Sequence, residues 1–98
     1  MVPVALNIGF YNYVISDKIL AMISSDSAPM RRIIQEFRKS GRLIDATQGR
    51  KTKSVIFLSG GQIATSALTQ DLLMRRMNGE EPNVGSTEHE EASEYLVG

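Results

Sequence analysis

The sequence predicts an α+β domain with a small, mainly antiparallel sheet and two helices. Three observations carry this. Short β-branched segments bounded by Gly, Asn and Ser recur along the chain. Between them, Met30, Ile33, Ile34 and Phe37 stand at i, i+3, i+4 and i+7, the spacing of a helix with one buried face. The order strands, helix, strands, helix differs from the strict alternation of a parallel βαβ fold.

Residues 4–9 and 13–16 are short and β-prone, and Gly9-Phe10-Tyr11-Asn12 between them suits a hairpin turn. Residues 18–23 are apolar enough for a third strand. Ser24-Ser25-Asp26-Ser27 favours helix caps over helix interiors. Pro29 then falls in the first turn of the main helix, where its missing N–H costs nothing, and Gly41 supplies the stop. On the polar side of this helix Arg32, Glu36 and Lys39 partly neutralise one another. Arg31, Gln35, Arg38 and Arg42 form a stripe without an acid. Residues 43–46 and 54–58 read as strands. Ser59-Gly60-Gly61-Gln62 reads as a tight turn into a strand over 63–67, so these three strands are expected to form a β-meander. Thr69 is placed to cap a second helix with Leu72, Leu73, Met74 and Met77 as its apolar residues and Asn78-Gly79 as its end.

The chain has 98 residues, which bounds it to one domain with a modest core. There is no cysteine, so disulfides, thiolate nucleophiles and zinc–thiolate clusters are excluded. No apolar run approaches the roughly 18 residues of a membrane span, and the N-terminus lacks signal-peptide features; a cytoplasmic protein is expected. Formal net charge is zero, yet the charges are segregated. Residues 1–79 carry eleven basic and five acidic side chains, a surplus of six, whereas residues 80–98 carry six glutamates and no Lys or Arg. The domain is therefore placed at 1–78. Residues 79–98 form an acidic tail expected to be disordered, which either solubilises the protein or folds back on the basic body. So small a body with two short helices covers both sheet faces poorly, and self-association is expected to complete it.

Asp45 to Lys53, D-A-T-Q-G-R-K-T-K, joins two of the expected strands. Arg50, Lys51 and Lys53 follow Gly49 at its tip. Three cations within four residues repel one another, so the segment is either a solvated basic loop or a seat for an anionic partner such as nucleic acid. Arg31 and Arg32, at a helix start where free N–H groups add positive charge, extend that second reading. No catalytic constellation is present: the only histidine, His89, lies in the tail, and the acids of the body are spread out. Asp45 reads as a partner for a backbone N–H or an arginine rather than as a base. Gly49-Arg50-Lys51-Thr52 is not a P-loop, because the position five residues before the glycine is Ile44. No cofactor, metal or small-molecule ligand is indicated.

Asn7-Ile8-Gly9-Phe10, Ser27-Ala28-Pro29 followed by Arg31-Arg32, and Leu43-Ile44-Asp45-Ala46-Thr47 with Gly49-Arg50-Lys51-Thr52 stand in the order and spacing of the RemA family of bacterial extracellular matrix regulatory proteins. The resemblance covers residues 4–77. It implies a LytTR-like fold, assembly into a closed homo-oligomeric ring, double-stranded DNA wrapped on that ring, and control of biofilm matrix genes. Arg50-Lys51 matches the family's paired basic residues, and Lys18 and Pro29 match further positions. Lys in place of Arg keeps the charge but loses the planar fork that reads bases bidentately. The expected DNA-binding residues are Arg50, Lys51, Lys53, Lys18, Arg31 and Arg32, with Pro29 shaping the helix start. A ring-forming scaffold and an RNA-binding protein are the alternatives. The scarcity of aromatic residues near the loop argues against the latter.

Overall fold

A computed structural model describes residues 2–83, which form six strands and two helices. The strands are β1 (Ala5–Gly9), β2 (Asn12–Ile15), β3 (Ile19–Ser24), β4 (Leu43–Asp45), β5 (Ser54–Leu58) and β6 (Ile63–Ser66). The helices are α1 (Ala28–Lys39) and α2 (Gln70–Met77). A short 3₁₀ turn over Ser16–Lys18 links β2 to β3. No helix among the described residues is long and apolar enough to cross a membrane.

β1 and β2 pair as an antiparallel hairpin, separate from a four-stranded sheet of order β3-β5-β6-β4. Three of the four ladders are antiparallel, as expected, but the β-meander is not formed. β4 pairs with β6, in parallel, with Leu43 opposite Ile63 and Asp45 opposite Thr65. The segment from Ala46 to Lys53 is therefore a crossover that leaves the edge strand, passes β6 and enters β5, not a hairpin loop. The pattern of 43–46 fixes a strand but not its partner. The extension Ala46 N–H to Thr65 O, at 3.0 Å, shows the parallel ladder continuing into the crossover.

Strand alternation assigns the two faces of the sheet. Val55 of β5 and Ile63 of β6 point to one side, where Met30, Ile34 and Phe37 of α1 cover them. Ile56 and Ala64 point to the other, where Leu6 and Ile8 of the hairpin and Leu73 of α2 complete a second cluster. Val55, Ile56, Ile63 and Ala64 are fully buried within the single chain. The expectation of poorly covered sheet faces thus fails for the central strands, because the separate hairpin supplies the missing layer. What stays open is the periphery. Leu20 on the β3 edge is 71% exposed and Ile44 on the β4 edge 48% exposed.

Both helices are bounded as their sequences dictate. The Ser27 hydroxyl accepts from Met30 N–H and the Thr69 hydroxyl from Leu72 N–H. At the other end of α1, Arg42 N–H reaches Phe37 O and Gly41 N–H reaches Arg38 O, a Schellman closure that needs the left-handed Gly41 (φ +74°). Beyond α2 the chain stays attached. Glu81 pairs with Arg75 at 2.6 Å, and the Asn83 side chain bonds Asn7 N–H and Ala5 O on β1. The rest of the expected tail lies outside the described residues.

Candidate nucleic-acid interface

Helical spacing brings Arg31, Gln35 and Arg38 of α1 to one side, at i, i+4 and i+7. Facing them, the crossover runs out through Lys51, Thr52 and Lys53. Its backbone is held at both flanks: Lys53 N–H donates to Ser66 O at 2.8 Å, Ser25 N–H donates to Lys53 O at 3.2 Å, and the Ser25 hydroxyl donates to Thr52 O at 2.7 Å. The end of β3 and the first residues of α2 close the remaining sides. An open cleft of about 730 Å³ lies between them, lined by Arg31, Arg38, Lys51 and Lys53. Two carboxylates, Asp26 and Asp71, also reach it, but Asp71 is taken by Arg75 at 3.0 Å. Neither Arg31 nor Lys51 pairs with a described carboxylate. Cations gathered around one cleft on anchored backbone raise the local potential and favour an anion from outside.

The entry to the crossover is built around Asp45. Its Oδ1 accepts the Thr47 hydroxyl at 2.7 Å, the Thr47 N–H at 3.0 Å and the Thr65 hydroxyl at 3.1 Å. The Thr47 hydroxyl, above all, holds this carboxyl below the usual range. Partial burial opposes that, while the Thr47 N–H, the Thr65 hydroxyl and the positive field of Arg38 add to it. Asp45 is a structural acceptor, as its sequence context indicated. The chain then turns over Thr47–Arg50, with Gln48 (φ +52°) and Gly49 (φ +80°) both left-handed and Arg50 N–H bonded to Thr47 O at 3.0 Å.

Comparison with known proteins fixes the lineage. A family model described as RemA-like, "Extracellular matrix regulatory protein A-like", matches residues 5–77. The chain belongs to this family. A relative from Halothermothrix orenii is 44% identical over 78 residues, covering 80% of this chain and 93% of the relative. One from Coprothermobacter proteolyticus is 46% identical over 83 residues, covering 85% and 79%. One from Thermosynechococcus vestitus is 48% identical over 73 residues, covering 74% and 95%. All three are named as candidate regulatory proteins, and none of the names describes an enzyme.

Against this family background the expected site residues divide. Arg31, Lys51 and Lys53 share the cleft. Arg50 does not line it: its guanidinium lies over the Phe10 ring, 4.6 Å from the centroid, which ties the crossover to the tip of the β1–β2 hairpin. Lys18 lines a second groove of about 540 Å³, on the hairpin side, together with Tyr13, Ile15 and Ile44. Arg32 is exposed on α1 and lines neither. Pro29 occupies the first turn of α1, as expected. Arg38 is the cleft cation missing from the expected set. Its place in the acid-free stripe was the available signal. The same stripe overreaches at Arg42, which sits past the helix end and stacks on Phe37 at 4.4 Å. Ser25 and Gln70, brought in from distant sequence, carry no signal of their own. Among the described residues no cluster of His, Cys, Asp or Glu could hold a metal ion.

Proposed function

We propose that the protein is a cytoplasmic, DNA-binding transcriptional regulator that acts as a ring-shaped homo-oligomer and controls biofilm matrix genes. The observation that supports this most is the convergence of Arg31, Arg38, Lys51 and Lys53 on one cleft, on anchored backbone. These cations take backbone phosphates, and Arg32, Arg50 and Lys18 extend the contact along the duplex. Affinity is then chiefly electrostatic, and selectivity comes from DNA shape and bendability more than from base edges. The family membership supports the regulatory role, and the resemblance supports matrix genes as its target.

The exposed sheet edges support the assembly. A closed ring is built head to tail from two different patches. β3 and β4 are the opposite edges of the sheet. One carries Leu20 at an irregularity in the β3–β5 register, and the other carries Ile44 beside Tyr13 and Ile15. In a ring, each protomer's Leu20 edge meets its neighbour's Ile44 edge. Later phosphate contacts then become intramolecular, and avidity rises with the length of DNA engaged. Gel shifts on duplexes of graded length test the reading; equal affinity for short and long DNA refutes wrapping.

The exposed apolar edges would serve equally in a ring-forming scaffold without a nucleic-acid role. Charge reversal at Arg31 and Lys51 separates the two readings. Loss of DNA binding with assembly intact supports the regulator, and collapse of the assembly supports the scaffold.

A further inference from the structure

We propose that the cleft between α1 and the crossover also binds a small soluble molecule carrying two or more adjacent phosphates, which competes with DNA for the same cations. The inference rests in part on the preceding reading, because it assigns a regulator to that surface.

Shape is the first argument. The outward-facing backbone of a duplex meets a protein on a convex surface, which touches the rim of a concavity but does not fill it. The volume of about 730 Å³ is within the roughly 300–1,000 Å³ of small-ligand sites. The second argument is the arrangement of charge. Arg31 and Arg38 stand on one wall and Lys51 and Lys53 on the other, so a compact polyanion between them meets cations from two sides at once. Guanidinium groups suit bidentate contact to phosphate, and the ammonium groups act as point charges opposite.

The third argument is preorganisation. The Lys51–Lys53 wall is fixed by the Ser25 and Ser66 bonds, and Gln70 is fixed by donating to Met22 O at 2.7 Å. The backbone of that wall therefore needs no ordering on binding, which leaves the lysine side chains as its share of the cost. Beneath the cations, Ile34 supplies apolar surface that phosphate groups do not use and that the remainder of a larger ligand does. Asp26 is the one cleft carboxylate without a described ion pair. It limits the net positive charge and disfavours anions that place charge near the start of α1.

The test uses the full chain and inorganic pyrophosphate as the probe. Equilibrium binding is followed by titration calorimetry at physiological salt without DNA, with sodium chloride of equal ionic strength as the control. Saturable binding with Kd at or below about 1 mM is expected. It should weaken by about tenfold or more in Arg38→Gln combined with Lys51→Gln, the loss of charge-assisted contacts. Circular dichroism confirms that this exposed pair leaves the fold intact, and Lys39→Gln, outside the cleft, should leave binding unchanged. At matched ionic strength pyrophosphate should also displace a long fluorescent duplex. A titration no different from the chloride control overturns the proposal and leaves DNA binding standing. Saturable binding without displacement overturns the competition. Saturable binding by a protein that binds no DNA supports the site and overturns the regulator reading instead.

Discussion

Replacing Arg31 and Lys51 with glutamine should flatten the salt dependence of DNA binding by a calculable amount. Both side chains are exposed, both line the cleft, and neither is engaged by a described carboxylate. Each neutralised phosphate contributes about −0.9 to the slope of log K against log salt. Removing two contacts makes the slope shallower by about 1.8 for every protomer engaged. Between about 50 and 200 mM salt, a fourfold change, the wild type should lose about tenfold more affinity than the variant per engaged protomer. Lys39→Gln, also exposed on α1 but outside the cleft, is the control. Fluorescence anisotropy on one long duplex across that salt series reads both quantities. If Lys39→Gln flattens the slope as much as the double variant, the cleft has no special part in binding. If neither changes it, the phosphates are met elsewhere.

Leu20→Glu should convert the proposed ring to protomers that keep their secondary structure, since Leu20 is exposed on an edge strand and supports no core; sedimentation and circular dichroism check the two halves of that statement. Gly49→Ala should cost about 1–2 kcal/mol, read as a lowered midpoint in urea. The φ of +80° disfavours a side chain, while the added Cβ meets nothing within 4 Å. The Asp45 carboxyl is held low in the folded chain, so its contribution is full above its unfolded pKa, about 3.9, and is lost as pH falls through the lower folded value. Asp45→Asn should therefore be less stable than wild type at neutral pH, with the difference shrinking in acid. A thermal-melt series over pH checks this.

Local features were legible in the sequence because local physics decides them. Ser27, Pro29 and Gly41 bound α1 by capping and backbone rules that need no tertiary knowledge, and the Met30–Phe37 spacing names its buried face. The hairpin was also readable, although the positive φ of its turn is not confined to Gly9 (+120°) but runs on through Phe10 (+50°) and Tyr11 (+61°). Strand pairing was not legible. Leu43–Asp45 is equally apolar whether it lies antiparallel beside β5 or parallel beside β6, and only the completed sheet selects the second. The site inherited both outcomes. The basic run was visible as a run, but the crossover sends Lys51 and Lys53 toward α1 while Phe10 draws Arg50 toward the hairpin. Composition says nothing about that division.

The parallel placement of β4 also bears on dissection of the molecule. The wall carrying Lys51 and Lys53 hangs from Ser25, before α1, and from Ser66, beyond β5. A peptide spanning α1 and the crossover would hold every cation of the cleft yet lack both of its moorings. Such a fragment would attract polyanions as any basic peptide does, without the geometry. Insertions at Gly49 should be borne easily, whereas lengthening the chain between Lys51 and Lys53 should slacken the wall and spoil the cleft while the sheet survives.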